Sequence, residues 1–287
     1  MKEALFYENL EGGKIKCTLC PRGCVVADTR TGTCGVRENV KGKLYSLIYE
    51  KPVAINVDPI EKKPLYHFYP GAKILSIGTY GCNLDCKFCQ NYDLSQEFEV
   101  SDFEYIENVE PEMIIKTCLE KNIKFVAFTY NEPTIFYEYM LDIAKLCKAN
   151  GIKTVSVSNG QINENPLREL INYIDAFNID LKAFNNDFYK KICGGDLQTT
   201  LDTLKIIVDE KKHLEVTFLL IEGFNDDVIE FRQMCDYINS LGNEVVFHIS
   251  RAFPRYKLEY ETTPIPLLKK FGQIAKEYIK HVYIGNV

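Results

Sequence analysis

From Lys73 onward the chain alternates between two kinds of stretch. Short apolar or β-branched runs read as strands: Lys73 to Thr79, Phe125 to Tyr130, Thr154 to Ser158, Ala176 to Leu181, Leu214 to Ile221 and Glu244 to Ile249. Helical patterns lie between them. Pro111 to Lys121 opens with a proline suited to a first helical turn. Thr134 to Ala149 stops at Asn150-Gly151, a common C-terminal signal. Thr199 to Lys211, Asp226 to Leu241 and Pro266 to Lys280 complete the set. This alternation predicts βα units around a parallel sheet, hence an α/β fold. Before Lys73 the pattern differs. Lys43 to Tyr49 and Pro52 to Val57 read as short strands, and Pro59, Pro64 and Pro70 punctuate a connector. The expected division is a first unit over 1–70 and a main domain over 71–287.

Composition narrows the classes. The 287 residues suit one large α/β domain or a core with a small addition, and 46% hydrophobic content fills such a core. No apolar run reaches the length of a membrane span. The N-terminus carries acidic residues without a signal-peptide layout, so a cytoplasmic protein is expected. A net charge of -6 and a pI near 5.4 argue against a broad electrostatic footprint for nucleic acid. Eleven cysteines in a reducing compartment point to metal ligands rather than disulfides.

Seven of those cysteines form two groups. Cys82, Cys86 and Cys89 follow the run Ile74-Leu75-Ser76-Ile77 in the loop that ends a strand, where parallel α/β proteins place their chemistry. Three thiolates suit a [4Fe-4S] cluster with one iron left open, and the alternative is a structural metal whose fourth ligand lies elsewhere. Cys17, Cys20, Cys24 and Cys34 form the second group. They read as a metal knot for zinc or an iron-sulfur cluster, or as four unligated thiols in a core. Cys118, Cys147 and Cys235 fall on apolar helix stripes and are expected in the core. Cys193 precedes Gly194-Gly195, and its role stays open.

Polar groups gather at the predicted strand ends. Asn131 and Glu132 precede Pro133, either as a carboxylate at a barrel mouth or as a helix-start signal. Ser158 and Asn159 precede Gly160 and suit either a ribose hydroxyl or a turn. Asp180 and Lys182 share a strand face, toward a mouth or as an internal pair. His248 stands beside Ser250 and Arg251, as a ligand contact or a structural histidine. His213 and His281 read as surface residues, and His67 belongs to the aromatic connector.

The Cys82-x3-Cys86-x2-Cys89 motif, with Phe88 before its last cysteine, resembles the cluster motif of the radical S-adenosylmethionine (SAM) enzymes. From Pro64-Leu65-Tyr66-His67 to Gln90-Asn91 the wording is similar to the pyruvate formate-lyase-activating-enzyme-like branch, and to the radical SAM member of the AmmeMemoRadiSam group. The resemblance implies a partial (β/α)6 barrel with a small cysteine-containing N-terminal unit. It implies a [4Fe-4S] cluster on Cys82, Cys86 and Cys89. It places SAM against Glu132, Asn131, Ser158, Asn159, Asp180, Lys182 and His248. Glu132 and Pro133 match the family's Gly-Gly-Glu-Pro motif, while Tyr130 and Asn131 stand where glycines are usual. The implied reaction cleaves SAM reductively and abstracts hydrogen from an unidentified substrate, with a protein as one option, as in glycyl-radical activating enzymes. A low-potential donor of ferredoxin or flavodoxin type is the implied partner, with Memo-type and AMMECR-type proteins by association. Members of the group tend to continue past the position of Val287 with another cysteine pair. The alternative function is an iron-sulfur electron carrier without a substrate of its own.

Overall fold

The computed structural model describes residues 1–242 and 244–287. Six short strands build the N-terminal unit: β1 (Lys2–Glu3), β2 (Tyr7–Asn9), β3 (Ile15–Cys17), β4 (Val25–Val26), β5 (Arg37–Val40) and β6 (Lys43–Ser46). They form two antiparallel sheets, in the orders β1-β6-β5 and β2-β3-β4. The main sheet has eight strands: β7 (Ala54–Pro59), β8 (Lys73–Gly78), β9 (Phe125–Phe128), β10 (Lys153–Ser158), β11 (Ala176–Asp180), β12 (His213–Leu220), β13 (Val246–Arg251) and β14 (His281–Gly285). Spatial order follows sequence order. Strands β8 to β14 run parallel, and β7 pairs antiparallel with β8.

All six expected main-domain strands are present, alternating with helices Pro111–Glu120, Tyr137–Ala149, Leu197–Asp209, Val228–Ser240 and Ile265–Lys276. A further helix, Glu164–Leu170, lies between β10 and β11. Two strand assignments need correction. β14 extends the sheet beyond β13; its residues are all half-buried, so no continuous apolar run announces it. β7 was expected in the first unit, but its six residues pair with β8 from Ala54↔Gly78 to Pro59↔Lys73. Strand propensity does not disclose a pairing partner.

The two faces of the main sheet are filled differently. Leu75, Ile77, Val126 and Phe128 belong to a large core that also takes in Cys118, Cys147 and Cys235, all fully buried as expected. On the opposite face, at the starts of the strands, Ile74, Phe125, Ala127, Val155 and Ala176 pack against Ile60, Leu65 and Phe68 of the connector. The connector thus plugs the N-terminal end of this inner face. Glu215 on β12 tethers it by accepting the backbone N–H groups of Tyr66 at 2.9 Å and His67 at 2.8 Å. Asn178 on β11 donates to the Pro64 carbonyl at 2.7 Å.

A buried ion pair ties the N-terminal unit to the main domain. Arg37 on β5 donates to both carboxylate oxygens of Glu138, at 3.2 and 2.9 Å, and to the Leu5 carbonyl at 2.7 Å. Both side chains are 2% exposed. Among the described residues no helix is long and apolar enough to cross a membrane.

Candidate functional site

The chain turns sharply as β8 ends. A side chain on Gly78 would stand 2.9 Å from the Thr129 carbonyl and from Tyr130, so only glycine lets β8 and β9 end this close together. The loop that follows carries the three cysteines and is braced from behind. Asp85 N–H donates to the Cys193 carbonyl and Lys87 N–H to the Ile192 carbonyl, both at 3.0 Å. Gly194 adopts φ 70°, and a Cβ there would collide with Asp85. The Cys193-Gly194-Gly195 turn therefore supports the loop, a task its sequence did not declare. The result is that Cys82, Cys86 and Cys89 all line one cavity of about 350 Å³ at the C-terminal ends of the strands.

The ends of β9 and β10 form the adjoining wall. Tyr130 takes the left-handed φ of 73°, the conformation a glycine would adopt without strain. It is held there by its hydroxyl, which donates to Asp58 at 2.9 Å, and by Asn91, which donates to its carbonyl at 2.7 Å. Asn131 fastens the cysteine loop: its carbonyl accepts from Thr79 N–H at 3.0 Å, and its amide donates to Thr79 Oγ1 and the Gly81 carbonyl. Glu132 is 3% exposed. One of its carboxylate oxygens accepts from Thr134 N–H at 2.9 Å and from Ser158 Oγ at 2.8 Å, and the other accepts from Asn159 N–H at 2.8 Å. Both readings of this residue therefore hold at once: it caps the turn Pro133–Phe136 and it lines the cavity. Burial raises its carboxyl above the ordinary value, against the opposing pull of these donors.

Asn159 links this wall to the cysteines. Its amide donates to Asn83 Oδ1 at 2.9 Å and lies 3.7 Å from Cys82 Sγ. Across the cavity Lys182 Nζ sits 3.0 Å from Asp180 and 5.9 Å from the Phe88 ring centre. Burial would lower this ammonium, but Asp180 and the neighbouring Cys86 hold it well above its usual value. Thus Cys82, Cys86, Cys89, Asn131, Glu132, Ser158, Asn159, Asp180 and Lys182 share one cavity.

His248 does not join them. It lies on the inner face of β13, two residues deeper than the cavity-lining Ser250, and bonds to the fully buried Glu215. His213 bonds the other oxygen of Glu215 at 2.9 Å, and the His67 ring lies tilted against that of His281 with ring centres 4.5 Å apart. The chain's four histidines thus gather around the connector plug. His213 and His281, read as surface residues, are half-buried there. Nothing along the sequence signals this grouping, because the connector and three strands bring it together. Sequence reasoning also missed cavity residues whose only signal is their side-chain register: Thr217 and Ser250 sit on the inner faces of β12 and β13. Lys62 and Lys63 enter the lining from the connector.

The donor set fits an iron-sulfur cluster with a polar organic ligand beside it. Three soft thiols, a buried carboxylate and an Asp–Lys pair face one space, and its volume lies within the roughly 300–1,000 Å³ usual for ligand sites. No three His, Cys, Asp or Glu side chains among the described residues stand at metal-ligand geometry, so ligation requires the thiols to turn toward a common centre.

A model of the radical SAM superfamily matches residues 76–235. An uncharacterized protein of Methanocaldococcus jannaschii is 40% identical over 290 residues, covering all of this chain and 86% of that protein. The pyruvate formate-lyase-activating enzyme of Staphylococcus epidermidis is 27% identical over 187 residues, covering 63% of this chain and 74% of the enzyme. Among solved structures, Streptococcus suis SuiB bound to S-adenosylmethionine superposes with a TM-score of 0.58 at 14% identity, over 75% of this chain and 52% of SuiB. That last likeness speaks for the fold.

Proposed function

Because the chain belongs to the radical SAM superfamily, we propose that it is an enzyme that holds a [4Fe-4S] cluster on Cys82, Cys86 and Cys89, binds SAM beside it, and removes hydrogen from a substrate. A cluster held by Cys82, Cys86 and Cys89 would supply the one-electron reduction that cleaves SAM, and with it the means of removing hydrogen from the substrate. The chain's own residues bind and orient. Glu132 offers a carboxylate to the ammonium of SAM and keeps Asn159 and Ser158 in place through their bonds to it. Lys182 supplies a cation for a carboxylate, and Asp180 holds it by their 3.0 Å contact. Asn131 ties the cysteine loop to the end of β9, and the plugged strand bottoms exclude water from below.

The observation that carries this reading is the convergence of three thiols and Glu132, Asp180 and Lys182 on one cavity large enough for a ligand. An electron carrier needs the thiols but has no use for the carboxylate and the lysine. A low-potential donor of ferredoxin or flavodoxin type is the required redox partner. By likeness to the activating enzyme, the proposed substrate class is a polypeptide, and Memo-type and AMMECR-type proteins are candidates through the resemblance stated above. The test is anaerobic reconstitution followed by mass analysis of 5′-deoxyadenosine and methionine under a strong reductant. Both products should form with the native protein and be absent in Cys86→Ala. A complete cluster that neither binds nor cleaves SAM would make the protein an electron carrier.

A further inference from the structure

Four thiols of the N-terminal unit play no part in the chemistry above. Cys17 ends β3, Cys20 and Cys24 lie in the turn from β3 to β4, and Cys34 lies just before β5. Tight backbone bonds shape these segments: Cys17 N–H donates to the Cys24 carbonyl at 2.9 Å, Gly23 N–H to the Cys20 carbonyl at 3.2 Å, and Gly35 N–H to the Gly32 carbonyl at 2.9 Å. All four thiols are free, and all four line one small cavity closed by the apolar side chains of Leu19, Val26 and Ile135, where they must turn toward a common centre to meet one ion.

A second observation points to a ligand there. Arg37 lines the same cavity, beside Cys17 and Cys34. Its two terminal nitrogens are engaged by Glu138 and the Leu5 carbonyl, but its Nε has no partner. It is the one buried side-chain nitrogen or oxygen without a partner among the described residues. A buried N–H left unpaired is destabilising, and a neutral thiol is a poor acceptor for it. A metal-bound thiolate is an anion and accepts strongly, which is how outer hydrogen bonds serve metal ligands. Thr33 already directs its N–H to Cys24 Sγ at 3.4 Å, with its hydroxyl at 3.3 Å.

We infer that Cys17, Cys20, Cys24 and Cys34 bind a single zinc ion as a tetrathiolate, with the Arg37 Nε–H directed at its sulfurs. Size decides against a second cubane. This cavity holds about 20 Å³, against about 350 Å³ beside Cys82, and a space of that order takes one water-sized body. Soft thiolates in a closed set of four select zinc or a single iron, and zinc is the redox-silent structural choice. Each thiol gives up its proton to solvent as it takes the metal. The ion also buttresses the cysteine loop of the main domain. Asn83 lines this cavity while its neighbour Cys82 lines the large one, and Arg22 Nε donates to the Asn83 carbonyl at 2.8 Å.

The inference does not depend on SAM chemistry, so it is tested in the full-length Cys82→Ala/Cys86→Ala/Cys89→Ala triple variant. That protein should retain one zinc per chain and no iron, and cobalt exchanged into it should show the intense visible bands of a tetrahedral tetrathiolate. Adding Cys20→Ser or Cys34→Ser should abolish both signals. If those variants do not fold, titrating the triple variant with a mercurial should release its zinc in step with four thiols. A soluble triple variant that takes up neither zinc nor cobalt overturns the site. An iron-sulfur spectrum in the triple variant overturns the single-ion assignment.

Discussion

Replacing Glu132 with glutamine removes one negative charge and keeps the shape. The structure shows what else changes. A glutamine carbonyl in place of the oxygen that serves Thr134 and Ser158 preserves both bonds, but its NH₂ then faces the Asn159 N–H. The opposite flip confronts Thr134 N–H instead. Either way one backbone N–H loses its acceptor, for about 1–3 kcal/mol of stability. The effect on SAM is separate. Breaking a desolvated charge pair costs about 2–5 kcal/mol, so affinity should fall roughly 30-fold or more. Ser158→Ala is the control, since it removes one hydrogen bond to Glu132 and leaves the charge. SAM titrated into the reduced, reconstituted proteins, followed by the cluster's EPR signal, should show a large loss in Glu132→Gln and a few-fold loss at most in Ser158→Ala, with equal iron content. Acidification should act like the mutation: the buried carboxyl titrates above its ordinary 4.5, so binding fades as pH falls through that raised value. Equal affinity in Glu132→Gln and the native protein would falsify the assignment and leave Glu132 as a cap alone.

Three further outcomes follow from the geometry. Burial opposes ionisation of Glu215, yet His213, His248 and the amides of Tyr66 and His67 hold its carboxyl down to about 2, from 4.5. Because the folded value is the lower one, its stabilisation, on the order of 3 kcal/mol, is complete above pH 4.5 and drains as pH falls toward 2; denaturant melts of Glu215→Gln should lack this acid dependence. Arg37→Ala strands the buried Glu138 and should cost about 3–5 kcal/mol in urea unfolding, and a loss below about 1 kcal/mol would show the pair to be dispensable. Asn131→Ala removes three bonds that fasten the cysteine loop and should lower cluster retention on gel filtration more than it lowers the melting temperature.

The strands β8 to β13 were legible because strands buried on both faces read as continuous apolar runs, as Phe125 to Phe128 does. The half-buried β14 gave no such run, and the pairing of β7 with β8 is a tertiary fact. The cavity residues were legible where a residue sat next to a turn signal, as Glu132 does before Pro133 and Asn159 before Gly160. His248 shows the limit of that reasoning. Inward direction could be read from alternation, but depth along the strand could not. Two residues separate it from Ser250 at the cavity, and that step put it against Glu215 instead.

The connector plug has a kinetic consequence. With Ile60, Leu65 and Phe68 packed over the strand starts and Glu215 gripping the chain behind them, the inner face is closed at that end among the described residues, and the cavity lies at the strand tips. Molecules that share a cavity closed at its deep end form a queue. For the chemistry proposed above, SAM would occupy the inner berth against the cysteines and the substrate the outer one, so the last to enter would be the first to leave. Turnover should then be compulsory-order, with SAM bound first. A product that lingers at the mouth should slow the departure of methionine and 5′-deoxyadenosine as well as its own.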